Sequence, residues 1–303
     1  MAQKPIRLLA NPGGGRGRVA RHVAELKRLS ERHGWSFETS ADASDLTERA
    51  RRAAAEGVER LVVAGGDGTV HWTLQGLAGT ETALAVIPMG SGNDIASVLG
   101  FGRGVEDCAE AAECAPIRSI DLGRVGGRWF GGVAGAGFDG EVNRYANRRF
   151  RRLSGPLIYV LATLRVLATF VPPRLRLTTP AESFEGRAYF AAFANCYRYG
   201  GGMRIAPEAS LVDGQLDLVV VRAVPKRVLL AVFPRVFSGR HCQHPAVWMS
   251  RAPWADLAFD REFQAFGDGE SLVPVPITGR RFEAVPLAVR AVAPALAETP
   301  GRV

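Results

Sequence analysis

Apolar and polar positions over the first 125 or so residues alternate between short hydrophobic runs and amphipathic stretches. Residues 6–10 form an apolar run that ends in NPGGGRGR. Over residues 19–32, Val19, Val23, Leu26 and Leu29 are spaced for one helical face. Residues 36–40 read as a strand, and residues 45–56 as a helix capped by Ser44. A strand over 61–64 runs into GGDGT and a helix over 70–78; a strand over 83–88 runs into MGSGND and a helix beginning over 95–99. Strands alternating with helices predict a mostly parallel sheet covered on both faces.

Beyond about Ser119 the pattern changes. SIDLGRV, RWFGGVAGAGF, RLRLTTP, AYFAAFANC, GQLDLVVVRAV and AVWMSRAPWADLAF are short, β-rich and separated by Gly, Pro or Asp. They predict an antiparallel β domain. Residues 153–171 interrupt it as the one long helical candidate, and PLAVRAVAP reads as a last strand. Phe138, Phe190 and Phe193 read as core.

Composition narrows the class. The chain has 303 residues, of which 47% are hydrophobic and 22% charged, enough for two compact domains and unlike a disordered or disulfide-stapled chain. Cys108, Cys114, Cys196 and Cys242 are scattered without metal-type spacing, which points to reduced thiols in the cytoplasm. The start, MAQKPIRLLANPGGG, reads as strand and turn rather than as a secretory leader.

The net charge of +8 is unevenly placed. No acidic residue lies between Glu141 and Glu182, a window holding Arg144, Arg148, Arg149, Arg151, Arg152, Arg165, Arg174 and Arg176. Within it, residues 153–171 are mostly apolar, but Pro156 and Arg165 argue against a membrane span. Two readings stay open: a segment lying on an anionic membrane surface, and a core helix behind a solvated basic face. The cluster has few interleaved aromatics and no nucleic-acid motif, so nucleic acid is not an expected partner.

Three glycine turns follow three strands: Asn11-Pro12-Gly13-Gly14-Gly15, Gly65-Gly66-Asp67-Gly68-Thr69 and Gly90-Ser91-Gly92-Asn93-Asp94. In open parallel sheets ligands bind beyond the carboxyl ends of the strands. Glycine lets backbone amides approach phosphate closely, and the following helix N-terminus adds a favourable dipole. Three such turns in succession, two with aspartate, point to a nucleotide phosphate with a divalent cation. No Walker A lysine is present, and a Rossmann-type match at residues 15–20 leaves GGDGT unexplained.

The GGDGT turn resembles the signature of the diacylglycerol kinase catalytic domain superfamily, which includes sphingosine and ceramide kinases and is related to NAD kinases. NPGGG, PMGSGNDIA, IDLG at residues 120–123, GAGFDGEV, GGGMRIAPEASLVDGQLDL and GDGE at residues 267–270 follow in the order found in the soluble bacterial lipid kinases. The resemblance runs from about residue 5 to residue 292. It implies an N-terminal α/β nucleotide domain over 1–122, completed by 285–303, and a C-terminal antiparallel β-sandwich domain over 123–284, with the active site in the cleft between them.

The resemblance also implies roles. Asn11, Gly13, Ser40, Gly65, Gly66, Asp67, Gly68, Thr69, Gly90, Ser91, Gly92 and Asn93 would hold ATP. Asp67, Asp94 and Asp121 would lie near catalytic Mg2+. Asp213, with the carbonyls of Ser210 and Gln215, would hold a second, structural Mg2+. Asp268 and Glu270 would supply the general base and its orienting partner for a lipid hydroxyl; an extended chain would place both on one side. Asp139 would face the cleft. Alternative readings are a helix cap for Asp94, plain turns at Asp213-Gly214 and Asp268-Gly269, and local structural roles for His241 and His244.

The expected function is an ATP-dependent lipid kinase, cytoplasmic and peripherally bound to an anionic membrane surface, with a homodimer left open. An NAD kinase-like enzyme and an inactive nucleotide-binding regulator are the competing readings.

Overall fold

The computed structural model describes residues 5–102, 104–138, 140–142, 145 and 165–296. Asp139, Arg144 and residues 146–164, which carry most of the arginine-rich window and its apolar segment, lie outside the described residues.

The N-terminal unit grows from strands that are apolar along almost their whole length. β3 (Arg60–Gly65) and β4 (Ala83–Pro88) are buried nearly end to end, as expected of parallel strands covered on both faces. β1 (Ile6–Ala10) and edge strand β2 (Ser36–Thr39) flank β3; the last strand, β15 (Arg280–Val292), flanks β4. All these neighbours are parallel, in the order β2-β1-β3-β4-β15. The connections carry α1 (Gly14–Arg32), α2 (Ala43–Ala55), α3 (Asp67–Leu77), α4 (Asp94–Leu99) and α5 (Val105–Cys114).

Two details differ from the expected pattern. Asp42, not Ser44, caps α2: its side chain accepts from the Asp45 amide at 2.9 Å, and Ser44 lies inside the helix. α5 is an additional helix, whose buried face is only Cys108, Ala109 and Ala112, too small to make a strong hydrophobic signal. α2 and α3 cross so closely at Gly76 that a Cβ there would lie 2.5 Å from the Thr47 carbonyl oxygen.

The C-terminal unit is antiparallel and sandwich-like. Its strands are β5 (Ile117–Val125), β6 (Arg128–Phe130), β7 (Val133–Gly137), β8 (Arg174–Thr178), β9 (Ser183–Ala194), β10 (Leu216–Arg222), β11 (Val247–Ala252), β12 (Trp254–Phe259), β13 (Phe263–Gly267) and β14 (Glu270–Val275). β8 and β12 alternate buried and more exposed positions, the mark of strands with one covered face. β9 serves two layers. Its first half pairs with β8, and its second half with β7 and β10. Between the layers the rings of Phe193 on β9 and Phe282 on β15 stack at 3.8 Å with 1° between their planes.

β15 belongs to both units. Trp254–Leu257 of β12 pair with its first residues, and Ala83 and Leu84 of β4 with Arg290 and Ala291. Its pairing with β5 shifts register between Val285 and Val289, where Leu287 takes φ +53°. α6 (Lys226–Val232) and the tight turns of helix at Phe233–Ser238 and Arg240–Gln243 fill a stretch that the sequence pattern left unassigned. No described helix is long and apolar enough to cross a membrane.

Removing one of the stacked rings tests the join between layers. Phe282→Ala should cost about 3–5 kcal/mol in urea denaturation, the usual penalty for a buried aromatic. An unchanged midpoint would show that the stack contributes nothing to stability.

Candidate active site

The three glycine turns sit together at the carboxyl ends of β1, β3 and β4, and their glycines are required by contact between the loops. A Cβ on Gly90 would lie 2.6 Å from the Gly66 Cα, and one on Gly65 would lie 2.2 Å from Thr69 Oγ1. Gly15, at φ +59°, leaves no space either: a Cβ would meet the Met89 carbonyl oxygen at 2.3 Å. Asn11 ties the first turn to the second, its Nδ2 donating to Thr69 Oγ1 at 2.9 Å and its Oδ1 accepting from the Gly13 amide at 3.1 Å. Asn93, at φ +53°, closes the third turn on itself: Oδ1 accepts from the Gly90 amide and Nδ2 donates to the Gly90 carbonyl. Its side chain therefore builds the loop. Ser91 is exposed beside it.

Ser40 ends the neighbouring strand. Its amide donates to the Ala10 carbonyl, while its buried hydroxyl oxygen has no hydrogen-bond partner. A buried polar atom left alone costs stability, and a ligand that bonds it removes that cost.

Asp67 turns its carboxylate onto the N-terminus of α4, where Oδ2 accepts from the Asn93 amide at 2.7 Å and Oδ1 from the Asp94 amide at 2.6 Å. Asp94 is the first helical residue and caps nothing with its side chain. Its Oδ1 accepts from Arg198 Nε at 2.9 Å and its Oδ2 from the Gly201 amide at 2.8 Å. Burial, then the charge of Asp94, and last that of Asp268 push the Asp67 carboxyl up to about 6, against the two amide bonds that oppose the shift.

The Asp268-Gly269 pair forms a two-residue hairpin loop between Gly267 and Glu270, with φ +54° and +86°, so the two acids do not lie on one extended strand. The turn nevertheless brings both to the glycine loops. Asp268 is 2% exposed, and its Oδ1 accepts from the Gly132 amide at 2.8 Å. Oδ2 accepts from the Gly131 amide at 2.9 Å and lies 3.1 Å from His71 Nδ1. Glu270, partly exposed at the start of β14, rests its Oε1 so close to Gly68 that a Cβ there would be 2.7 Å away. The carboxylate pair of one unit thus meets the phosphate-type turn of the other.

Asp121 stands in a different neighbourhood from Asp67 and Asp94. Its Oδ1 accepts from the Leu287 amide at 2.8 Å and its Oδ2 from the Gly214 amide at 2.6 Å. Burial raises its pKa while those amides oppose the shift. It anchors the irregular turn of β15 to the 210–215 loop. In that loop Ser210 Oγ accepts from the Val212 amide and Asp213 Oδ1 from the Gln215 amide. Arg251 Nη1 stands 4.0 Å from Asp213 Oδ2. Among the described residues no three His, Cys, Asp or Glu side chains gather as a metal site. His241 Nε2 bonds the Ile205 carbonyl and His244 Nδ1 accepts from the Ala246 amide, both local contacts.

Sequence reasoning missed His71, Arg198 and the Gly131-Gly132 pair. His71 had a signal: it follows Asp67 by four residues and so shares its helix face. Arg198 and the glycine pair have none, because their partners lie over a hundred positions away. Asn195 Nδ2 also belongs here, donating to the carbonyls of both Gly131 and Asp121.

Known proteins match this architecture along its length. The Diacylglycerol kinase catalytic domain matches residues 5–125, and the YegS C-terminal NAD kinase beta sandwich-like domain matches residues 132–293. The chain is 34% identical over 299 residues to the diacylglycerol kinase of Mycobacterium tuberculosis (strain CDC 1551 / Oshkosh), covering 95% of each chain. It is 29% identical over 274 residues to that of Bacillus subtilis (strain 168), covering 88% of this chain and 90% of that protein. A crystal structure of a diacylglycerol kinase from Bacillus anthracis str. Sterne superposes with a TM-score of 0.74 at 20% identity, over 98% of this chain and 100% of that one.

The Asp268 contacts can be tested without substrate. His71→Ala removes a donor from a buried carboxylate and should destabilise the protein by about 1–3 kcal/mol. His71→Asn, which keeps a side-chain donor, should cost less. Equal melting of all three proteins would mean that the bond carries no stability.

Proposed function

Because the chain belongs to the diacylglycerol kinase family, its catalytic domain joined to the β-sandwich-like domain, we propose that it transfers the γ-phosphoryl group of ATP to the hydroxyl of a diacylglycerol-like lipid at a membrane surface. The observation that carries this reading is the meeting of Asp268 and Glu270 with Gly68 and His71 of the GGDGT helix. Phosphoryl transfer needs a phosphate cradle, a charge-neutralising cation and a proton acceptor for the attacking hydroxyl. Each has a place here.

The cradle is the backbone of Gly13, Gly65, Gly66, Gly68, Thr69, Gly90 and Gly92, with Asn11 and Asn93 shaping the loops. Ser40 Oγ is free to bond the nucleotide. Asp67 and Asp94 suit a hard divalent cation: they add negative charge where phosphates would sit, and a cation there would oppose the upward shift that burial and then the Asp94 charge impose on Asp67. Mg2+ commonly uses one or two carboxylates and completes its shell with phosphate oxygens and water. It supplies charge neutralisation at the transferring group. The Asp213 loop offers one carboxylate oxygen, Oδ2, not engaged by an amide; with the carbonyls of Ser210 and Gln215 it would hold a structural ion mainly through backbone oxygens.

The Asp268–Glu270 pair takes the hydroxyl proton. Asp268 is fixed by amides and the imidazole, and Glu270, reaching over Gly68, is the member that meets solvent and substrate. Holding a carboxylate pair at the end of a rigid hairpin presents it to the attacking oxygen without reorganisation.

Incubation with γ-labelled ATP, Mg2+ and diacylglycerol vesicles should move label into the organic phase. Label appearing on NAD instead would overturn the reading. Glu270→Gln should lower turnover by about 10²–10⁴-fold, the usual contribution of a proton-transfer group, with nucleotide affinity unchanged.

The pKa of Asp67 sets a pH dependence. Cation binding requires the ionised carboxylate, so Mg2+-dependent nucleotide affinity should fall about tenfold per pH unit below about 6. Asp67→Asn should flatten that profile. Because the folded-state pKa lies above that of the unfolded chain, this group's contribution to the metal-free protein is present at acid pH and is lost as pH rises through about 6. Thermal melts with and without Mg2+ across that range check the sign.

A further inference from the structure

Residues 226–240 carry a surface that none of the chemistry above uses. Leu230, Phe233 and Phe237 are exposed large apolar side chains, Phe237 at 54%, and the two rings meet edge to face at 6.3 Å. They recur at spacings of three and four along α6 and the helical turn after it, so they share one face. Val232, Val236 and His241 are buried beneath and pin the segment to the body.

The rim is basic. No acidic residue occurs between Asp217 and Asp256, while Lys226, Arg227, Arg235 and Arg240 are all exposed in the same segment as the apolar face. Among the described residues Arg227, Arg235 and Arg240 form no ion pair. A groove of about 490 Å³ opens beside the rings, lined by Pro234, Arg235, Ser238, Arg240 and Gln243. Its polar lining is all hydrogen-bond donors or amide, with no carboxylate, and so suits a phosphate group.

Hydrogen bonds tie the segment to the stretch of chain that also reaches Asp94. The Arg204 amide donates to the Val236 carbonyl, and His241 Nε2 bonds the Ile205 carbonyl. A few residues earlier, Arg198 and Gly201 hold Asp94. Lys226 Nζ donates to the Ala168 carbonyl and so joins this face to the end of the basic apolar segment seen in the sequence.

We propose that the exposed face of residues 226–240 docks the protein on an anionic lipid surface. Leu230, Phe233 and Phe237 enter the headgroup layer, and Arg227, Arg235 and Arg240 meet lipid phosphates. The proposal rests on the lipid kinase reading and gives its membrane contact an address. Aliphatic and aromatic side chains on one face with a cationic rim are the composition of an interfacial helix, and anionic lipid supplies the missing negative charge. A two-fold contact with a second copy would instead set the same arginines against each other.

The test uses the full chain, with vesicles of phosphatidylcholine alone or mixed with phosphatidylglycerol. Wild type should co-sediment with the mixed vesicles and not with the neutral ones. Phe233→Ser/Phe237→Ser should weaken that binding at least about tenfold, given the worth of two inserted rings. Arg235→Gln/Arg240→Gln should weaken it and reduce its salt sensitivity. Both variants should phosphorylate a short-chain diacylglycerol in free solution at the wild-type rate. Wild-type binding by the variants, or no binding by wild type, overturns the docking face while leaving lipid phosphorylation intact. Binding without phosphorylation of any lipid overturns the kinase reading and leaves the face standing. Displacement from vesicles by duplex RNA at physiological salt, or a wild-type dimer dispersed by the phenylalanine substitutions, would assign the face to another partner.

Discussion

The grip on Asp268 is the contact on which the candidate site depends. Its carboxylate, at the tip of a hairpin from the sandwich unit, is held by the Gly131 and Gly132 amides and lies against a histidine from the GGDGT helix. A buried carboxylate is tolerated only when its oxygens are bonded. The donors come from both units, so burying this one charge fixes the hairpin against α3. Glu270, two residues on, is thereby set over Gly68.

The same logic runs through the glycine turns. Their backbones touch, and Asp67 reaches from the second turn to the amides that open α4 at the third. This makes a tightly packed floor, and it also brings Asp67, Asp94 and Asp268 close together. Burial first, and then the charges of Asp94 and Asp268, raise the Asp67 carboxyl to about 6. In the proposed reaction a divalent cation held by Asp67 and Asp94 would offset that repulsion and favour the ionised carboxylates.

Asp121 is held outside the glycine-turn floor. Its oxygens hold the Gly214 and Leu287 amides. Asn195 bonds both the Asp121 and Gly131 carbonyls, so the anchor of β15 and the Asp268 cage share one buried side chain.

Much of the fold was legible along the chain. Apolar runs broken by helices gave the parallel sheet, alternation gave the one-sided strands, and the three glycine turns marked the carboxyl ends of its strands, because each of these signals is local. The acids at 67, 94, 268 and 270 were likewise readable as types. Their arrangement was not. Extended spacing put Asp268 and Glu270 side by side, whereas a left-handed turn lies between them; Asp121 read as one of a trio, and its carboxylate accepts from the Leu287 and Gly214 amides. His71, Arg198 and the paired glycines acquire meaning only through partners far off in sequence. Periodicity and turn chemistry are written residue by residue, but which donor satisfies which buried charge is settled only when the two units close over one another.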